Sequence, residues 1–137
     1  MATRLSHFGI AVPAHDDVLH FWRDLLGLPL EHTEHVASDG VTVAMLRLGA
    51  GAGAVELLQP DAGEDNPVGR FLAKRGPGLH HVAFEVDALE DLLQRMKEAG
   101  VRLVDEHPRP GAHDSQVAFV HPASTGGVLV ELVQARP

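Results

Sequence analysis

The sequence contains no cysteine and no tyrosine. Without cysteine, disulfides and thiolate metal sites are excluded, so any metal has to be held by histidine, carboxylate or water. The same absence fits a reducing compartment. No stretch approaches the roughly 18 apolar residues of a membrane span, and "MATRLSHFGIAV" has no long apolar segment after its basic start; a cytoplasmic protein without membrane contact is expected. Basic residues are few, 11 against 19 acidic ones, giving a formal charge of −8. That argues against nucleic acid as a partner, because phosphate binding needs clustered Lys and Arg. An anionic small molecule requires only a local basic cluster.

What the chain has in quantity is histidine, 10 in 137 residues. At this length one domain, 1–137, is expected, burying roughly 68% of the surface of the unfolded chain. Two octets are alike. "LSHFGIAV" (5–12) lies over "LHHVAFEV" (79–86), so that His7 and His81 correspond 74 residues apart. Each alternates as a β-strand does, with His7, Gly9 and Ala11 on one face and Phe8, Ile10 and Val12 on the other; His81, Ala83 and Glu85 repeat the pattern opposite Val82, Phe84 and Val86.

A helix is predicted after each octet. Val18, Phe21, Trp22, Leu25 and Leu26 follow helical spacing as a core stripe, and Gly27 stands where a left-handed cap is expected. In the second half Asp87 and Glu90 have the spacing of a capping box, Leu89, Leu92, Leu93 and Met96 form the stripe, and Gly100 closes it. Strands at 41–48 and 54–60 end the first half, and strands at 116–122 and 127–135 the second. The last pair repeats too: "VELLQP" lies over "VELVQA", matching Glu56 to Glu131. The expected organisation is module one at about 4–60, a linker at 61–78 and module two at about 79–135. In the linker Asn66-Pro67 starts a short helix anchored by Phe71 and Leu72 and ended by "RGPG".

If two such modules pack about a pseudo-two-fold axis, His7, Glu56, His81 and Glu131 converge. Two imidazoles and two carboxylates leave positions open on an octahedral ion, which suits Mn2+, Co2+, Ni2+ or Zn2+ in a catalytic site. A lone strand histidine is more often packed or hydrogen-bonded than a ligand, and a lone glutamate can simply mark a solvent face. The recurrence of both types in register favours ligands, since a packing repeat need preserve only apolar positions. His80 is on the opposite face from His81 and is the weaker candidate.

The repeat resembles the vicinal oxygen chelate (glyoxalase-like) superfamily, an α+β fold whose paired βαβββ modules form a cup-shaped mixed sheet around a divalent metal. Within it "HFGIAV", "GVTVAMLRLG", "VELLQP", "NPVGRFLAKRG", "GLHHVAFEV", "RPGAHDSQVAFVHP" and "GGVLVELVQ" are similar to the methylmalonyl-CoA epimerase family, in that order across nearly the whole chain. The resemblance implies an isomerase that interconverts (2R)- and (2S)-methylmalonyl-CoA by removing the proton α to the thioester and returning it on the opposite face. It implies His7, Glu56, His81 and Glu131 as metal ligands, Co2+ or Mn2+ as the favoured ion, Glu131 also as acid/base, and a homodimer. Some family members have glutamine at Glu56.

One position departs. Some members carry a glutamate three residues after the glycine of the "GV" strand as the second base; here Val43 stands there. Glu56, a metal-bound water and His113 of "GAHDS" are candidates for that role. Arg70, Lys74 and Arg75 form the tight basic cluster available for CoA phosphates, against the plainer reading of a solvated helix face. Rival functions are a glyoxalase I-type lyase, disfavoured by "HPASTGGVLVEL" before Glu131, an extradiol dioxygenase, which would need one carboxylate ligand rather than two, and a metal-free binding module, which has no reason to keep four ligand types in register.

Overall fold

A computed structural model describes residues 3–63 and 65–136. The chain is α+β and divides into two compact units, one spanning His7–His80, the other running from His81 and taking in the start of the first strand. Among the described residues no helix is long and apolar enough to cross a membrane.

In the first unit β1 (Arg4–Ala11) leads into a helical segment, followed by β2 (Leu30–Val36), β3 (Val41–Arg47), β4 (Ala54–Pro60) and helix α2 (Pro67–Arg75). The strands lie in the order β2-β3-β4-β1. β1 is parallel to β4, with Gly9 opposite Glu56, while β3 runs antiparallel to both β4 and β2. Val12, Leu19, Ala44, Leu46, Val55 and Leu57 form the core on one face of these strands, with Ile10, Val18 and Trp22 packed against it. The other face carries His7, Gly9, Glu56, Val43 and Met45, as the alternation in the sequence requires.

The helical segment departs from the predicted regular helix. One α-turn, α1 (Asp16–Leu19), passes into a π-helix over His20–Leu25, in which Leu26 N–H donates to Phe21 O at 2.8 Å. The wider winding splits the apolar stripe. Val18, Leu19 and Trp22 reach the core, whereas Phe21, Leu25 and Leu26 are 53%, 69% and 52% exposed. Gly27 does take the left-handed conformation at φ 88°.

The second unit repeats the pairing. β5 (Gly78–Glu85) is followed by helix α3 (Leu89–Glu98), β6 (Arg109–Pro110), β7 (Gln116–Val120) and β8 (Val130–Gln134). β5 is parallel to β8, with Ala83 opposite Glu131, and β7 is antiparallel to β8 and to β6. Val86, Leu89, Leu93, Ala118, Val120 and Leu132 make its main core.

α3 is not started by the capping box expected of Asp87 and Glu90: Ala88 is its N-cap and makes no side-chain cap bond. Instead Leu89 N–H donates to Gln134 Oε1 at 2.7 Å. The first unit does the same, His15 N–H donating to Gln59 Oε1 at 2.8 Å. In both halves a glutamine three residues beyond the last-strand glutamate therefore ties that strand to the start of the helix. α2 begins as predicted, with Asn66 accepting from Gly69 N–H at 2.8 Å, and ends at Gly76, φ 77°.

Candidate active site

In each unit a buried histidine and a buried glutamate are in contact. His7 projects from β1 and Glu56 from β4, where Glu56 stands opposite Gly9 on β1 and Met45 on β3; on the β1 side no side chain fills the space beside the carboxylate. His7 Nδ1 and Glu56 Oε2 are 3.3 Å apart. In the second unit Ala83 takes the place of Gly9, and His81 Nε2 lies 3.0 Å from Glu131 Oε1. The His81 ring meets the Phe119 ring edge to face at 5.5 Å, Phe119 being the residue opposite Glu131 on β7. All four ionisable side chains are buried, at 6%, 5%, 5% and 8% exposure for His7, Glu56, His81 and Glu131. Such groups are rarely taken out of water without a partner or a metal.

The donor spacing suits a metal. Two ligands each about 2.1 Å from one ion stand about 3.0 Å apart at an octahedral right angle and about 3.4 Å apart at the tetrahedral angle; the contacts of 3.0 and 3.3 Å fall in that range. Imidazole and carboxylate together match divalent ions of intermediate softness.

His80 stacks edge to face on Phe71 at 5.1 Å, as a residue on the face opposite His81. His113 is exposed and sits at φ 57°, followed by Asp114 at φ 56°, a left-handed pair that costs energy for residues with a Cβ. On α2, Arg70 pairs with Asp65 at 2.8 Å, Arg75 lies over the Phe71 ring at 5.6 Å, and Lys74 is exposed in the last turn.

Val43 is buried at 3% exposure. Its neighbours across the sheet are Leu58 on β4 and Glu34 on β2. Glu34 and His32, whose side chains meet at 3.0 Å, went unnoticed in the sequence because β2 reads "LEHTEHV", too polar to be recognised as a strand. Its edge position explains the composition: only one side of it has a partner strand, and charge on an edge discourages further pairing.

Residues 6–119 match the Glyoxalase/Bleomycin resistance protein/Dioxygenase superfamily. The ethylmalonyl-CoA/methylmalonyl-CoA epimerase of Cereibacter sphaeroides is 38% identical over 136 residues, covering 98% of this chain and 99% of that protein. The mitochondrial methylmalonyl-CoA epimerase of Bos taurus is 38% identical over 133 residues, 96% of this chain and 74% of that protein. A methylmalonyl-CoA epimerase solved in complex with methylmalonyl-CoA and NH4+ superposes with a TM-score of 0.91 at 37% identity, over 98% of this chain and 96% of that one. The chain thus belongs to the glyoxalase superfamily and, within it, to the methylmalonyl-CoA epimerases.

Proposed function

We propose that this protein epimerises methylmalonyl-CoA at C2, with His7, Glu56, His81 and Glu131 as the ligands of one divalent ion, Co2+ or Mn2+ before Zn2+ or Ni2+. The observation that carries the reading is the recurrence, in each unit, of a buried His–Glu pair at equivalent strand positions, in a chain similar over nearly its full length to enzymes of that activity. On this reading 1–137 works as one domain in which modules 4–60 and 79–135 each give two ligands, with 61–78 linking them.

When bound, the ion supplies Lewis-acid stabilisation of the negative charge that develops on the thioester and carboxylate oxygens. The chain's own residues do the rest. Glu131 takes the C2 proton, and its burial keeps bulk water from competing for it. Phe119 and the small residue Ala83 shape the space beside that carboxylate. Arg70, Lys74 and Arg75, exposed on α2, are the groups for the CoA phosphates, and the exposed Phe21, Leu25 and Leu26 support a homodimer. The lack of cysteine supports a cytoplasmic location.

The test is to supply purified protein with Co2+, add a single epimer of methylmalonyl-CoA and follow the epimer ratio. Approach to a near-equal mixture is expected, abolished by a chelator and restored by metal. An unchanged ratio with turnover of a glutathione hemithioacetal would make the protein a glyoxalase-type lyase, and an unchanged ratio with no metal bound would make it a binding module.

A further inference from the structure

In the second unit the strands β5, β8, β7 and β6 carry on one face a row of side chains that ends in a cation. We infer that Arg109, acting through the Phe119 ring, is a positioning residue that holds His81 in the orientation a metal ligand needs; this rests on the reading of His81 and Glu131 as ligands above.

The register lays out the row. Ala83 on β5 is opposite Glu131 on β8, Glu131 is opposite Phe119 on β7, and Val117, two residues before Phe119, is opposite Arg109 on β6. Directly opposed residues, and residues two apart on one strand, share a sheet face. His81, Glu131, Phe119 and Arg109 therefore project from the same side, and contacts join them. Glu131 Oε1 lies 3.0 Å from His81 Nε2. The His81 ring meets the Phe119 ring at 5.5 Å with an interplanar angle of 87°, and the Arg109 guanidinium lies over the Phe119 ring at 5.5 Å.

Phe119 is held at its backbone as well as at its ring. Its N–H donates to Asp105 Oδ2 at 2.9 Å, and its carbonyl accepts from Val104 N–H at 2.9 Å and from Asp105 N–H at 3.2 Å. The other carboxylate oxygen, Asp105 Oδ1, accepts from Arg109 Nε at 3.2 Å. One carboxylate thus fixes both the amide of the aromatic residue and the guanidinium over its ring. Exposed surface pairs hold little, but the Arg109 and Asp105 side chains are only 31% and 19% exposed.

The arrangement bears on ligation because an imidazole binds a metal along the direction of one ring nitrogen, and a tilt beyond about 10–20° forfeits the productive geometry. A guanidinium drawn to the face of Phe119 restrains that ring. The restrained ring, set edge to face against His81, then restrains the imidazole. A cation that merely covered an aromatic ring would stabilise the fold and leave metal binding unchanged.

The experiment titrates metal-free protein with Co2+ and records Kd, the visible absorption of the bound ion and the Tm of the metal-free protein. Arg109→Met keeps the length and apolar cover of arginine without its charge or its bond to Asp105. It is expected to raise Kd by roughly 10–100-fold and to shift the absorption. Arg109→Lys, which returns a cation to the ring, should recover part of the affinity, and Asp105→Asn, which still accepts from the Phe119 amide, should weaken binding by less than Arg109→Met. Phe119→Leu should also raise Kd, and adding Arg109→Met to it should change Kd by less than about twofold, because the effect runs through the ring. A Kd for Arg109→Met within about twofold of wild type, whatever happens to Tm, would overturn the inference and leave the ligand reading standing. So would an undiminished effect of Arg109→Met in the Phe119→Leu background, which would make Arg109 act without the ring. If Arg109→Met does not fold, Asp105→Asn decides in its place, an unchanged Kd again overturning the inference. A wild type that takes up no Co2+ would remove the reading of His81 and Glu131 as ligands, and the inference with it.

Discussion

Glu131 is assigned two duties, as ligand and as proton carrier, and the two can be separated by substitution. Glutamine keeps an oxygen donor and the side-chain length but cannot take the proton. Glu131→Gln is therefore expected to lower kcat by roughly 10²–10⁴-fold with little change in bound metal or circular dichroism; a variant of near-wild-type kcat would reassign the base. The glutamines three residues further on have a different role. Gln59 and Gln134 hold the His15 and Leu89 amides, N–H groups at helix starts that lack intrahelical acceptors. Replacing either by alanine should cost about 1 kcal/mol, seen as a fall in Tm of about 4 °C by calorimetry. His7, Glu56, His81, Glu131 and both glutamines lie in the repeated octets and last strands of the sequence, but only the first four carry a chemistry that draws notice. A glutamine capping a helix some 45 residues away has no local signature, which is why Asp87 and Glu90, in the right local spacing, were the expected cap instead.

At the scale of elements, close packing predicts where a single methyl group is not tolerated. Gly111 precedes the left-handed pair His113–Asp114, and a Cβ there would meet Val117 Cγ1 at 2.6 Å. Gly111→Ala is expected to destabilise by about 1–3 kcal/mol, measured by urea unfolding, and adding Val117→Ala should recover part of that loss, since the two positions share one contact. The elements legible in the sequence were those with an apolar face. β1, β3, β4, β5, β7 and β8 all alternate or run apolar, and α2 and α3 carry clear stop signals. β2 was invisible because its run Glu31–His35 carries no apolar residue and only Val36 at its end is buried; β6, two residues long, is below any periodic signal. The first helix was legible as an element but not in its winding, because apolar spacing does not distinguish an α-helix from the wider π-helix that sets Trp22 against the core and leaves Phe21 and Leu25 exposed. That exposure is a property the regular-helix reading hid.

For the molecule as a whole, two consequences follow. The exposed Phe21, Leu25 and Leu26 are expected to lie in a subunit interface, so Leu25→Glu should shift a dimer to monomer in sedimentation velocity without altering the fold; an unchanged sedimentation coefficient would place the interface elsewhere. The larger claim is that both halves of the repeat serve one ion. The sequence predicts two halves; β1 is parallel to β4 as β5 is to β8, and a buried His–Glu contact recurs in each unit. The most direct test is metal stoichiometry after Co2+ loading and gel filtration, by mass spectrometric metal analysis, for the wild type, His7→Ala and His81→Ala. One ion per chain is predicted for the wild type, with strong loss in both variants. Two ions per chain, none, or full occupancy surviving either substitution would contradict it.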